Sequence, residues 1–326
     1  MTSPQLAKVF VVGGFFNLIV INGWLNQGIA LLENNIIPDL DGVNSDLFRM
    51  DCCVGSICND QLVEHVENTL LESQWFKRSE GKDHIIVRSH FGSRRLFKPG
   101  NRFTSISKCH SILFEKNILF KERMGLAATY VGNKCKHSPK THDIAFIGKL
   151  RRWKGPHKRG HWQEHASRVK ACSWLKENNT KWDVSICGPG AQCPALAQAR
   201  MGLHLAGDSP GSNRLMDILL SDTVPVLTDS RQYNILPPFF PWRQMSVFAP
   251  VIDKEEFLSA LAKAPVSTVA VFNSKNKIAD RMDWRHSSYL FEQYMRSVSL
   301  FLSLPQSEFL HALNMSSPHF LITSIT

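Results

Sequence analysis

Internal repeats, low-complexity tracts and paired C-x-x-C spacings are all missing from the 326 residues. The first two absences argue against a repeat architecture and a disordered or fibrous chain. The third excludes a structural zinc site of the two-pair kind. The eight cysteines fall instead at Cys52, Cys53, Cys58, Cys109, Cys135, Cys172, Cys187 and Cys193. An even count permits disulfides, for example within Cys52–Cys58 or Cys187–Cys193, with buried free thiols as the competing reading. Spacing does not give the connectivity.

Charge is scarce at the start. Between Val9 and Leu32 there is none, and Lys8 alone precedes that stretch. Such a length could span a bilayer as a signal anchor. It is interrupted by Gly13, Gly14, Asn17, Asn22, Gly23, Asn26 and Gln27, however, and "KVFVV" reads as a first buried strand. We adopt the strand, with the anchor as the alternative. Two sequons, at Asn178 and Asn314, suit a lumenal protein, although two in a chain of this length are near chance.

What is present describes a globular chain long enough for two cores: 43% apolar and 20% charged residues. The net charge of +10 favours anionic partners without choosing among nucleic acid, acidic polysaccharide, membrane and phosphate.

Residues 60–77 place Leu62, Val63, Val66, Leu70, Leu71 and Phe76 at helical spacing. "DHIIVRSH" (83–90) then reads as a buried strand. From 143 onward the pattern becomes strand, loop, helix, strand. "DIAFIG" (143–148), "WDVSICG" (182–188), "GLHLAG" (202–207) and "TVPVLT" (223–228) are the strands. Helices are expected over 162–178 and from about Pro210 to Leu220. That alternation signifies a parallel sheet with crossover helices. Ligands bind such sheets beyond the carboxyl ends of the strands. "GDSPGSNR" falls there, with Ser209 placed to cap a helix and Pro210 in its first turn. Arg214 could then grip an anion with both arms.

The densest charge, "GKLRRWKGPHKRGH" (148–161), follows "DIAFIG" and carries Lys149, Arg151, Arg152, Lys154, Lys158 and Arg159. A phosphate loop, a nonspecific polyanion patch and a solvated basic loop all fit it. His161, Glu164 and His165 match the H-x-x-E-H pattern of zinc hydrolases, but no third ligand is evident. Gly207, Ser209 and Gly211 fit a nucleophile elbow, yet Pro210 removes the N–H that would complete its oxyanion hole. The esterase reading therefore fails. Asp217 could accept from ribose hydroxyls or simply pair with Arg214 on the helix surface.

The block "LHLAGDSPGSNRLMDILLSDTVPVLTD…LPPFFPWRQMSVFAP" resembles the donor site of the exostosin family of glycosyltransferases. The matching positions are Gly207, Asp208, Ser212, Arg214, Leu215, Asp217, Pro225, Val226, Pro238, Phe239, Trp242, Ser246 and Val247. "SQWFKRSEGKDHIIVRSH" (73–90) and "DIAFIGKLRR" are similar to two further family blocks, so the resemblance covers roughly 73–300.

The resemblance implies an α/β, GT-B-like fold, with two Rossmann-like domains whose parallel sheets face a cleft. An acceptor-side domain is expected over 1–140, a nucleotide-sugar domain over 141–300 and a helical tail over 301–326. It also implies sugar transfer from a nucleotide sugar to a glycan or glycoprotein, inverting and without a metal or other cofactor, in the Golgi or another secretory lumen. Arg214 would contact the diphosphate and Asp217 the ribose. Lys149, Arg151, Arg152, Gly207, Asp208, Ser209 and Ser212 would complete the donor site.

Two departures stand out. His90-Phe91-Gly92 replaces the family's His-Asp-Trp, which leaves His90 as the candidate base with Asp83 or His84 behind it. Asp222 or Thr223 stands where the family has glycine. A relative that binds nucleotide or sugar without catalysis is therefore the alternative function.

Overall fold

A computed structural model of the chain describes residues 10–12, 53–54, 57–88, 103–114, 118–120, 123–150, 159–178, 180–207, 210–283 and 289–304. The chain divides into two compact units, with the break between Ala128 and Thr129, ahead of the expected 140/141 boundary. Phe301–Leu304, at the end of the Tyr289–Ser303 helix, group with the first unit. The remainder of the expected tail, 305–326, lies outside the described residues.

In the first unit, β1 (Phe10–Val12), β4 (His84–Arg88), β5 (His110–Phe114), β6 (Ile118–Phe120) and β7 (Arg123–Ala128) form a five-stranded sheet. The order is β1-β4-β5-β7-β6, parallel except for the edge strand β6. "KVFVV" thus supplies a strand, pairing Phe10–Val12 with His84–Ile86, while 13–32 lie outside the described residues. A small antiparallel pair, β2 (Cys53–Val54) with β3 (Ile57–Cys58), precedes the Asn59–Glu72 helix. Ile85, Ile86, Ile112, Leu113 and Leu126 are buried, as expected of a parallel sheet covered on both faces.

The helix expected over 60–77 is two helices, Asn59–Glu72 and Gln74–Ser79. The break is at Ser73, whose backbone is extended and whose Oγ accepts from the Phe76 N–H. Leu70 is buried as expected, but Leu71 is 48% exposed, and Glu67 is buried on the same helix. The Glu67 carboxylate accepts the backbone N–H groups of Ser105 (2.6 Å) and Ile106 (2.8 Å). It thereby satisfies the first turn of the Thr104–Lys108 helix, which has no side-chain cap of its own.

In the second unit, β8 (His142–Ile147), β9 (Val184–Gly188), β10 (Ala199–His204), β11 (Val224–Leu227) and β12 (Val247–Phe248) form an all-parallel sheet. Its order is β12-β11-β10-β8-β9. Alternation along β8 sends Ile144 and Phe146 to one face, with Leu175, Phe257 and Leu261. Ala145 and Ile147 go to the other face, with Leu196 and Ile218. Helices Arg159–Glu177 and Lys254–Ala262 cover the first face; Gln192–Gln198 and Arg214–Leu220 cover the second. The chain runs from β8 outward to β9 and returns to the opposite side of β8 as β10. Strand order therefore reverses between β8 and β10.

Two disulfides brace this unit. Cys172–Cys187 ties the Arg159–Glu177 helix to β9, and Cys135–Cys193 ties the segment before β8 to the Gln192–Gln198 helix. Cys187–Cys193, one of the pairings the even count permitted, does not form: each cysteine pairs instead with a partner more distant in sequence that a packed helix brings alongside. Cys109 is a buried thiol whose Sγ donates to the Ser105 carbonyl, and the Cys52–Cys58 pairing lies outside the described residues. Among the described residues no helix is long and apolar enough to cross a membrane.

Glu67→Ala removes one acceptor and strands two buried donors. It should cost about 3 kcal/mol, read as a lower denaturant midpoint at unchanged slope. A loss under about 1 kcal/mol would mean that the helix start does not depend on this carboxylate.

Candidate anion site at the strand-order reversal

The carboxyl ends of β8 and β10 are joined by two arginines that cross between them. Arg214 opens the helix after β10 and reaches back to β8, where its Nε donates to the Ile147 carbonyl. Its Nη1 also lies 3.5 Å from Leu205 O and 3.4 Å from Ser212 Oγ. Arg168, on the helix after β8, reaches forward to β10. Its Nε donates to Ala206 O at 2.7 Å and its Nη1 to Lys149 O at 3.1 Å. Both guanidiniums stack on the Phe146 ring, with Cζ 4.9 Å (Arg214) and 5.8 Å (Arg168) from its centroid. Two glycines make the crossing possible. A Cβ on Gly148 would lie 2.7 Å from an Arg214 nitrogen, and one on Gly207 would lie 2.7 Å from an Arg168 nitrogen.

Two like charges meet in the interior here. Arg168 is 6% exposed. Burial, and then the Arg168 charge, push the Arg214 pKa down to about 10, with Asp217 offsetting part of this. Arg214 remains charged at neutral pH, and all its hydrogen-bond acceptors are neutral oxygens. The last residue of β10, His204, is fully buried against these charges. Burial, then Arg214, then Arg168 drive its imidazole down to about 3. It is therefore neutral.

Gln232 locks the loops around this pair. Its Oε1 accepts from Thr228 N (2.8 Å) and Asp229 N (3.2 Å), and its Nε2 donates to His204 O (2.9 Å) and Pro210 O (3.1 Å). Thr228 Oγ1 adds a bond to His204 O at 3.0 Å.

The expected site residues divide. Arg214, Ser212 and Gly207 meet at the crossing, and exposed Lys149 lends it a backbone carbonyl. Asp217 is fully buried: one carboxylate oxygen accepts from Asn133 N (2.6 Å) and Nδ2 (3.3 Å), the other from Gln192 Nε2. A ribose could reach it only if Gln192 moved aside.

The helix expected from Pro210 starts at Arg214, with Asn213 before it, so Pro210 is outside the helix and forms no first turn. Gln232 holds the Pro210 carbonyl. Asp208, Ser209, Arg151, Arg152 and the candidate base His90 lie outside the described residues.

Asp83 and His84 lie at the amino end of β4, where His84 opens the strand. The Asp83 carboxylate is engaged by Arg78, Ser79 and His84 Nδ1.

His161, Glu164 and His165 share one helix, but their side chains lie outside the described set. Among the described residues no three His, Cys, Asp or Glu side chains gather as a metal site.

Four contributors were not expected: Phe146, Arg168, His204 and Gln232. Arg168 had a sequence signal. It occupies the inward stripe of its helix with Ala171, Cys172 and Leu175, a core position where a cation is out of place.

His204 makes stability pH-dependent. Below its unfolded value of 6.5 the unfolded chain binds a proton that the folded chain refuses until about 3. Acidification across that window therefore favours unfolding, by up to about 1.4 kcal/mol per pH unit. His204→Asn should flatten the pH dependence of the denaturant midpoint between these values. Equal slopes in the two proteins would show that His204 is not held neutral.

The solved structures to which the chain shows low similarity include these three. The crystal structure of TarM is 11% identical over 71% of this chain and 57% of its own, with a TM-score of 0.35. The pneumococcal O-GlcNAc transferase GtfA in complex with UDP and GlcNAc is 9% identical over 74% and 60%, with a TM-score of 0.31. Sucrose-phosphate synthase from Thermosynechococcus elongatus is 11% identical over 92% and 97%, with a TM-score of 0.36. The chain thus spans under two thirds of the first two. No curated protein matches the sequence. The family model of the Exostosin GT47 domain matches residues 49–264, which take in β2 to β12 (all the described strands but β1) and the crossing of Arg168 and Arg214. The chain belongs to the exostosin GT47 family of glycosyltransferases.

Proposed function

We propose that this chain transfers a hexose or pentose from a nucleotide sugar to a glycan or glycoprotein acceptor, with inversion and without a metal ion. The observation that carries the reading is the Arg168–Arg214 pair, two buried like charges at the strand-order reversal of a parallel sheet. Such a pair is stabilised by a polyvalent anion. A nucleoside diphosphate supplies one and also leaves with added charge as the glycosidic bond breaks. Donors already fixed in place stabilise that charge without reorganising. They take the neutralising role that a divalent ion has in other phosphate sites.

In this reading the acceptor oxygen attacks the anomeric carbon as the bond to the diphosphate breaks, and a base takes the hydroxyl proton. His90 is assigned as the base. Lys149, Arg151, Arg152, Asp208, Ser209 and Ser212 surround the phosphates, and Asp217 meets the ribose once Gln192 yields. Two disulfides favour an oxidising compartment, in keeping with a secretory-lumen location and work in polysaccharide or glycoprotein synthesis. Contact with an acidic polymer through 149–161 and a membrane anchor within 9–32 belong to the same proposal.

The test is thermal unfolding with a panel of nucleoside diphosphates, on wild type and Arg214→Ala. One nucleotide should stabilise the wild type, by about 2.7 kcal/mol at a hundredfold excess over Kd, and leave the variant unmoved. Stabilisation of neither by any nucleotide would overturn the donor site. Binding without turnover of the matching nucleotide sugar would identify a binding relative rather than an enzyme.

A further inference from the structure

Asp217 is enclosed, yet both residues that grip its carboxylate reach the surface: Asn133 is exposed and Gln192 half-buried. The two grips differ. Asn133 supplies Oδ1 with its main-chain N–H at 2.6 Å and its Nδ2 at 3.3 Å. Gln192 supplies Oδ2 with a side-chain amide alone, through Nε2. A main-chain donor leaves only if the backbone moves, whereas a glutamine amide swings away by rotation about side-chain bonds.

The backbone on both sides of the carboxylate is fixed. Asn133 lies two residues before Cys135, and Gln192 directly before Cys193, so one disulfide ties the two gripping segments together. Gly132 sits so close to the helix carrying Asp217 that a Cβ on it would lie 2.7 Å from Met216 Cβ and 2.9 Å from Asp217 N. Oδ1 therefore keeps its main-chain donor, while Oδ2 depends on a side chain that turns away without the backbone. The place also suits a ligand. Gln192 opens the helix after β9, at the carboxyl edge of the sheet where Arg214 also lies. Asp217 is three residues beyond Arg214 on one helix, about 5–6 Å away between Cβ atoms. A nucleotide whose diphosphate meets Arg214 carries its ribose hydroxyls at a comparable distance.

We propose that Gln192 is an exchangeable plug on Asp217 and a specificity-determining residue of the donor site: its amide satisfies Oδ2 in the free protein, and a ribose hydroxyl replaces it when a nucleoside diphosphate binds. The proposal rests on the reading of the arginine pair as a nucleotide site. The exchange keeps the number of hydrogen bonds, since Nε2–H leaves as O–H arrives and the released amide turns to water. A ligand without those hydroxyls leaves the plug in place and strands no buried acceptor. The plug thus makes the ribose hydroxyls contribute less to binding than they would at an open carboxylate.

The probes are UDP and GDP, each beside its 2′,3′-dideoxy form, with inorganic pyrophosphate reporting the phosphate contacts alone. Affinities would be read from thermal stabilisation of wild type, Gln192→Ala and Gln192→Met. Gln192→Ala opens the carboxylate, so the ribonucleotide that binds wild type should bind the variant roughly fivefold or more tightly. The dideoxy form and pyrophosphate should bind wild type and variant alike. Gln192→Met keeps the length and loses the donor, and should also favour the ribonucleotide.

A ratio of ribonucleotide to dideoxynucleotide affinity that is the same in wild type and variants would overturn the plug and leave the donor site standing. A gain in Gln192→Ala that Gln192→Met does not share would show that bulk, not the amide bond, is displaced, and would overturn it too. Stabilisation by pyrophosphate alone would leave an anion site without the plug. No stabilisation by any probe would overturn the donor site and the plug together. Either variant serves the first comparison, so that test stands if one of them does not fold.

Discussion

The second unit depends on the placing of two guanidinium ions where a sheet reverses its order. Removing such ions from water is expensive, and the cost is recovered only with good geometry and satisfied donors. Here both side chains donate to main-chain carbonyls at the ends of β8 and β10, so the loops leaving those strands are held to a pair of fixed charges. The neighbouring features follow from this. The Phe146 ring provides the bed for both ions, Gly148 and Gly207 give them room, and Gln232 prevents the loops from peeling away. His204 is neutral because these charges stand beside it in a dry place.

The same arrangement relates stability to chemistry. An interior that holds two close cations is less stable than one with an apolar filling of the same volume. It is also ready for a ligand of opposite sign, because its dipoles need not turn when charge arrives. The disulfides and the Glu67 cap lie away from that strain and add ordinary stability.

Much of the fold was legible because parallel strands are short, apolar and bounded by glycine. All four strands read from "DIAFIG" to "TVPVLT" are present, in parallel register. Helix ends were harder to read, since they are set by long-range partners. Arg214 starts its helix late because the preceding loop is held by Gln232, and Ser73 divides a run of apolar residues whose spacing gave no warning. Disulfide pairing was hidden for the same reason: each bond joins elements that meet only after the sheet forms. In the site, Arg214 was readable as a cation at a sheet edge. Arg168 was passed over because attention went to the basic loop before it, although an arginine on a buried stripe is itself a signal. Asp217 was read for its chemical type, and its hydrogen bonds to Asn133 and Gln192 could not be inferred from spacing.

Most of the anchoring acceptors at the crossing are peptide oxygens, contributed by Ile147, Lys149, Leu205 and Ala206. Every amino acid carries that group. The residues that display these oxygens are therefore interchangeable as far as the cations are concerned, whereas Gly148 and Gly207 are not. A gene encoding this scaffold can rewrite the side chains of these loops without disturbing the two guanidinium ions. Diversification of substrate and retention of the charged centre are thereby assigned to different atoms of the same loops.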